Sequence, residues 1–208
     1  MLNRKFGRVF LPALAAVTLL CGSAAAQGAT AFIARAGVVA SSALVTDEVS
    51  SEGEAEAVSA RIGPAPVITV GVHQTLAPRV AFEATVGYTF GSWQADDAGG
   101  WRDVESVGVA EASVALVRSF GDLRMHGAVG ALSYRAPARG IFVGEAGMRP
   151  FLEAGGSWRT PLAGRRVELQ LRAQAHNFGT SGIRAAGGLD GRVFRAALSA
   201  GYTFGGAE

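Results

Sequence analysis

The chain has 208 residues, a formal net charge of +2, 49 % hydrophobic residues, 29 glycines and a single cysteine. Three of its 19 Lys and Arg lie in the first eight residues, so the remainder carries 16 bases against 17 acids and offers no electrostatic case for nucleic acid. With no cysteine after Cys21, disulfides are excluded from whatever follows it.

The first segment reads as a sorting signal. Arg4, Lys5 and Arg8 precede an apolar run over 9–20, and Ala24-Ala25-Ala26 supply small residues for cleavage before Gln27. The run is shorter than the ~20 residues of a membrane-spanning helix. Residues 1–26 are therefore expected to be a cleaved signal peptide and 27–208 one domain. Leu20 stands where a lipoprotein has a small residue before its cysteine, so Cys21 belongs to the discarded leader.

After the leader, the dominant signal is period-two alternation. It predicts eight strands, over 30–41, 65–75, 79–90, 104–119, 122–134, 147–160, 165–178 and 191–204. Within 80–90, Val80, Phe82, Ala84, Val86, Tyr88 and Phe90 face one way, while Glu83, Thr85 and Thr89 face the other. In the seventh, Val167, Leu169, Leu171, Ala173 and Ala175 alternate with Glu168, Gln170, Arg172, Gln174 and His176. The last repeats the pattern with Phe194, Ala196, Leu198, Ala200, Tyr202 and Phe204. A Gly-Tyr-Thr-Phe sequence occurs at both 87–90 and 201–204.

The connections alternate in length. Short turns fall at 76–78, 120–121 and 161–164, and long ones at 42–64, 91–103, 135–146 and 179–190. Segment 42–64 has room for a further hairpin, which raises the count to ten strands. Strands of this length with alternating short and long connections predict an antiparallel up-and-down transmembrane β-barrel. An even strand number with a rising first strand puts both termini in the periplasm.

A membrane barrel turns its apolar face to lipid and its polar face to the lumen. The polar face here carries Arg35, Glu83, Glu111, Arg124, Arg149, Glu153, Arg159, Glu168, Arg172 and Arg195. In the narrow interior of an eight-stranded barrel these are expected to form an ion-pair network, because each buried charge left alone costs several kcal/mol. Gly87, Gly130, Gly155 and Gly201 leave room there for long arginines. Tyr88, Phe90, Trp93, Trp158, Tyr202 and Phe204 are expected in the aromatic girdles at the membrane interfaces.

This layout, over residues 29–204, resembles the small eight-stranded outer-membrane barrels of the OmpA/OmpX type. The closing strand, with Leu198, Ala200, Tyr202 and Phe204 alternating, looks like the C-terminal signal read by the barrel-assembly machinery, although Gly205–Glu208 follow it here. The resemblance implies a Gram-negative cell envelope, contact with outer-membrane lipid and lipopolysaccharide, and a monomer. It supports fold more than function.

No catalytic, cofactor or metal site is expected. His73, His126 and His176 face inward but lie at different heights and lack metal-ligand spacing. His176 invites comparison with lipid A deacylases, yet Phe178 stands where their nucleophilic serine would be, and Ser181 and Asp190 have the wrong spacing. Asp47, Glu48, Glu52, Glu54 and Glu56 read as a solvated loop without calcium-loop spacing. Trp93 and Trp101 flank Asp96 and Asp97, and Arg135 and Arg139 suit lipopolysaccharide phosphates. The expected role is structural or surface-interacting. A narrow small-solute channel and a lipid-modifying hydrolase are the alternatives.

Overall fold

The computed structural model describes residues 29–51, 54–96, 100–136, 142, 147–162, 166–180 and 191–205, without the side chains of 45–58. The leader over 1–26, Ser181, Asp190, Arg139 and Asp97, and the carboxylates of Asp47, Glu48, Glu52, Glu54 and Glu56, lie outside the described residues.

The described residues form ten strands: β1 Thr30–Ser41, β2 Ala43–Ser51, β3 Glu54–Ile62, β4 Ala65–Ala77, β5 Val80–Asp96, β6 Trp101–Phe120, β7 Leu123–Arg135, β8 Arg149–Arg159, β9 Val167–Phe178 and β10 Gly191–Gly205. All pairings are antiparallel. β1 pairs with β10 on one side and β4 on the other. Pairing then runs through β5, β6, β7, β8 and β9 back to β10. The ring therefore has eight strands and no free edge, the arrangement that satisfies every wall backbone group where no water is present.

β2 and β3 resolve the open count at 42–64. They form a hairpin outside the ring, and β3 adds to the far end of β5 through pairs from Ser59 with Asp96 to Ile62 with Trp93. β5 and β6 run on together to the pair Asp96–Trp101. Beyond the ring they thus make a short sheet with β3, so regions read as long loops are largely strand.

The three short connections share one end of the ring, as do the start of β1 and the end of β10. This end is the turn rim, and the opposite end is the loop rim. At the turn rim, Pro78 and Arg79 join β4 to β5, with Arg79 at φ 72°, and Gly121 takes φ 65° between β6 and β7. Positive φ is easy for glycine and costly for arginine. Pro78 favours this turn by fixing the preceding φ.

Polarity is inverted relative to a water-soluble protein. On the outer face Leu152 is 67 % exposed, Leu198 62 % and Phe32 62 %, while inside Glu168 is 1 % and Arg195 3 % exposed. Ile68, Val70, Leu116, Met125, Val129, Leu169 and Leu171 continue the apolar outer belt.

Candidate functional site

The period-two pleat that faces apolar side chains outward sends the charges into the lumen, where they form two layers. The layer nearer the turn rim is a four-membered ring of alternating sign. Arg35 on β1, Glu83 on β5, Arg124 on β7 and Glu168 on β9 come from every second strand of the barrel. Arg35 Nη1 is 2.6 Å from Glu83 Oε1, and its Nη2 is 2.6 Å from Glu168 Oε1. Arg124 closes the other two sides, with Nη1 3.0 Å from Glu168 Oε2 and Nη2 3.5 Å from Glu83 Oε2. Four side chains from alternate strands meet across the lumen, as inward residues of a closed sheet stack in layers. Each charge touches two of opposite sign, the condition under which buried ions are tolerated.

Two neighbours complete the ring. Arg124 Nη2 donates to His73 Nδ1 at 2.8 Å, which fixes that nitrogen as the acceptor. Ser157 Oγ donates to Glu168 Oε2 at 3.3 Å. Beside it, Ala81, Ala115, Val117 and Ala128 form a small apolar cluster.

The second layer holds Glu111, Glu153, Arg172 and Arg195. Arg172 donates to Glu153 Oε2 at 3.2 Å and to Glu111 Oε1 at 2.5 Å. Arg195 Nη1 donates to Glu111 Oε2 at 2.9 Å, and its Nη2 to Thr89 Oγ1 at 2.9 Å. Gln174 bridges, donating to Glu153 and accepting from Arg195. His126 Nε2 donates to Glu153 Oε1 at 3.1 Å. Like the first, this layer pairs two arginines with two glutamates.

Glycine decides which side chains reach the centre. Gly201 pairs in register with both Arg35 and Glu168, and a Cβ on it would stand 2.6 Å from Arg35 Cγ. Arg35 lies over Gly201 to reach the far strand. The other glycines named from the sequence also make room, but not for arginine: Glu111 leans over Gly87, Phe151 over Gly130 and His126 over Gly155.

Toward the loop rim the lumen turns apolar. Leu44, Ile62, Val107, Val109, Leu132, Tyr134, Phe142, Phe151, Phe178 and Val193 pack as one cluster. Leu44 enters at a register shift between Ala43 and Val45. Phe142, from the connection between β7 and β8, is 1 % exposed and meets Trp93, Tyr134 and Phe178 at ring-centroid distances of 6.3, 5.9 and 5.8 Å. At the floor of this plug Tyr134 Oη lies 2.7 Å from His176 Nε2, while His176 Nδ1 is buried without a hydrogen-bond partner.

Three residues stand elsewhere than expected. Arg149 takes no part in the charge layers. Being at the loop end of β8, its guanidinium lies 4.9 Å from the Phe178 ring centroid and donates to the carbonyls of Asn177 and Gly179. Arg159, at the opposite end of β8, lines the mouth at the turn rim below the charge ring. Trp93 is not in the lipid-facing girdle. Alternation persists through the extension of β5, so Ser92 and Gln94 continue the outer face while Trp93 turns in against the plug.

The remaining girdle residues, Tyr88, Phe90, Trp158, Tyr202 and Phe204, project from the outer face. The two Gly-Tyr-Thr-Phe segments serve opposite ends, because β5 rises and β10 descends. Each stacks its aromatic pair on one face, at 4.6 Å for Tyr88–Phe90 and 4.7 Å for Tyr202–Phe204.

A closed ring of eight antiparallel strands with ion pairs inside, an apolar belt outside and aromatics at both borders has its solvent on the inside-out side. This is the fold of a small outer-membrane β-barrel. Among solved structures the chain is similar to the outer membrane protein OprG from Pseudomonas aeruginosa, at 11 % identity and a TM-score of 0.46 over 86 % of this chain and 97 % of that one. It is similar to Ail, the attachment invasion locus protein of Yersinia pestis, at 10 % identity and 0.46 over 86 % and 100 %. It is likewise similar to Neisserial surface protein A, at 16 % identity and 0.46 over 86 % and 99 %. No family model and no curated protein sequence matches.

His73, His126 and His176 occupy different heights, and no group of three metal-ligating side chains occurs among the described residues. Trp101 lies at the loop rim beneath the Arg61 guanidinium, 3.9 Å from its ring centroid. Arg61 also donates to Gln94, and Gln94 and Ser92 both donate to Asp103 Oδ1, at 2.9 and 2.7 Å. Sequence reading did not find this cluster, because its members are joined by the continuation of the β5–β6 pairing through a region read as a loop and by the added pairing of β3 with β5.

Proposed function

We propose that this barrel is a closed scaffold of the outer membrane, with a structural or surface-interaction role, rather than a channel or an enzyme. The charge ring of Arg35, Glu83, Arg124 and Glu168 carries this reading. Its four sides tie alternate strands together across the lumen, and a hydrated ion passing through would have to break at least one buried pair. The second layer and the apolar plug add two further barriers.

What remains for interaction is the outside. The β2–β3 hairpin and the extension of β5 and β6 project beyond the ring as paired strands, a firmer platform than free loops. Lipopolysaccharide and outer-membrane lipid are the surroundings this reading implies, with the barrel-assembly machinery as a partner in biogenesis and a monomer as the working form. Location of both barrel ends at the turn rim supports periplasmic termini. Among the described residues, the hydroxyl that meets His176 is that of Tyr134, within an apolar plug.

Purified protein in planar bilayers tests the reading. We expect no stable conductance steps. Reproducible, ion-selective steps would overturn it in favour of a narrow channel. In parallel, lipid A from cells expressing the protein is expected to keep its mass, and loss of an acyl chain would establish the hydrolase instead.

A further inference from the structure

The charges outside the lumen are divided unequally between the rims. In the sequence, the short connections with their flanking strand ends (76–80, 118–123 and 159–167) hold five arginines and one carboxylate, Asp122. The long connections with theirs (42–64, 92–106, 135–149 and 179–192) hold seven arginines against eleven carboxylates. The lumen layers are balanced, so the barrel carries a charge asymmetry along its axis, basic at the turn rim and acidic at the loop rim.

The basic groups sit at a definite depth. Arg79, Arg118 and Arg166 are exposed at the turn rim. At the same end of the ring Phe32, Phe120, Trp158 and Phe204 are exposed on the outer face, and the Arg118 guanidinium lies 5.3 Å from the Phe120 ring centroid. Aromatics of this kind mark the border between acyl chains and headgroups. Arg79, in the turn between β4 and β5, and Arg166, just before β9, are therefore at headgroup height, and Arg118 stands on the outer face two residues before Phe120 at the end of β6. At the same rim a cavity of about 360 Å3 opens between Arg79 and Arg159, with Thr75, Ser119 and His73 in its wall. It presents guanidinium and hydroxyl groups, and no carboxylate among the described lining residues, a donor set suited to phosphate.

We propose that the turn rim binds the headgroups of anionic phospholipids, with the lipid phosphate taken at the cavity between Arg79 and Arg159. The inference rests on the barrel spanning a bilayer. It adds the lipid class on one side, and it predicts that this side sits in the leaflet that contains anionic phospholipid. The arginines act together through attraction that fades within a Debye length of the surface, as for basic segments beside other membranes.

The full chain can be folded into lipid discs containing equal parts phosphatidylcholine and phosphatidylglycerol, and the lipid it retains on transfer to detergent read by native mass spectrometry. We expect several-fold enrichment of phosphatidylglycerol, falling as salt is raised. The variant Arg79→Gln/Arg118→Gln/Arg166→Gln should lose the enrichment. The loop-rim variant Arg102→Gln/Arg135→Gln/Arg192→Gln should keep it. If the first variant does not fold, the three single substitutions replace it, each expected to lose part of the enrichment. Equal retention of the two lipids by the unaltered chain, or equal loss from the loop-rim variant, overturns the proposal. Loss of enrichment when inorganic phosphate is added at constant ionic strength assigns the site to free phosphate and overturns it too. Insertion into discs of phosphatidylcholine alone tests the bilayer-spanning reading separately, since that step needs no anionic headgroup.

Discussion

Arg35 and Glu168 lie on strands that do not touch, and they meet because both pair in register with Gly201 on the strand between them. The Arg35 stem crosses the glycine, and the guanidinium then spans from Glu168 to Glu83, at 2.6 Å from each. A missing side chain on β10 thus permits this reach across a strand.

Adding a side chain at that point should break the arrangement. The Arg35 stem is fixed at its Cα and again at its guanidinium, so it cannot swing away from a Cβ that would stand 2.6 Å from Cγ. Gly201→Val is expected to destabilise the barrel by about 1–3 kcal/mol, the usual cost of overpacking. A lowered urea midpoint, followed by the gel shift between folded and unfolded barrel, is the readout. An unchanged midpoint would mean that Arg35 has another route to Glu168.

The charge ring should respond to unbalancing more than to removal. Arg35→Met leaves Glu83 and Glu168 sharing only Arg124, and the loss of one partner of a buried pair costs about 3–5 kcal/mol. Arg35→Met combined with Glu168→Gln removes one charge of each sign and keeps Arg124 paired with Glu83. The double variant is expected to be more stable than Arg35→Met alone. Additive losses in the double-mutant cycle would show that the four groups act as separate pairs and not as a ring.

All eight ring strands were legible in the sequence, and β1 falls on the very residues that alternation marks, because a pleat sorts side chains every second position wherever lipid and lumen differ. Eight of the ten charges assigned to the lumen lie in its two layers for the same reason. Arg149 and Arg159 stand apart from the two layers because alternation gives the face of a residue but not its height, and both stand at the ends of β8. The ring of four was not legible at all. It depends on which strands become second neighbours when the sheet closes and on the stagger of that closure, and neither leaves a local pattern. Trp93 was misplaced because the apolar outer face stops at Phe90 while the strand does not.

At the loop rim, Asp103 offers a local test of the β5–β6 extension. Hydrogen bonds from Ser92 and Gln94 favour its charged form and hold its carboxyl below the ordinary aspartate value of 3.8. A depressed value means that the contribution of these bonds is complete above 3.8 and is lost as the pH falls through the lowered value. An NMR titration should find Asp103 below the ordinary range, and Ser92→Ala should move it upward. A titration at the ordinary value in the unaltered chain would show that the two bonds do not persist in solution.

Phe142 separates the apolar plug from the charged layers as barriers. It contributes one buried ring among Trp93, Tyr134 and Phe178, and its removal leaves a cavity beside the Tyr134–His176 pair. Phe142→Ala should cost about 3–5 kcal/mol if the site does not collapse, as for other buried rings. Trp93 should then become more accessible, with a red-shifted emission and faster quenching by iodide. Conductance should nevertheless stay absent, because Arg172 and Arg195 still reach Glu111 below the gap and the ring of four lies beneath them. Conductance in Phe142→Ala would place the barrier at the plug and remove the role assigned to the charges. A stable, silent variant with an exposed Trp93 would place it in the ion pairs, where the alternation of the strands has put every second side chain of the wall.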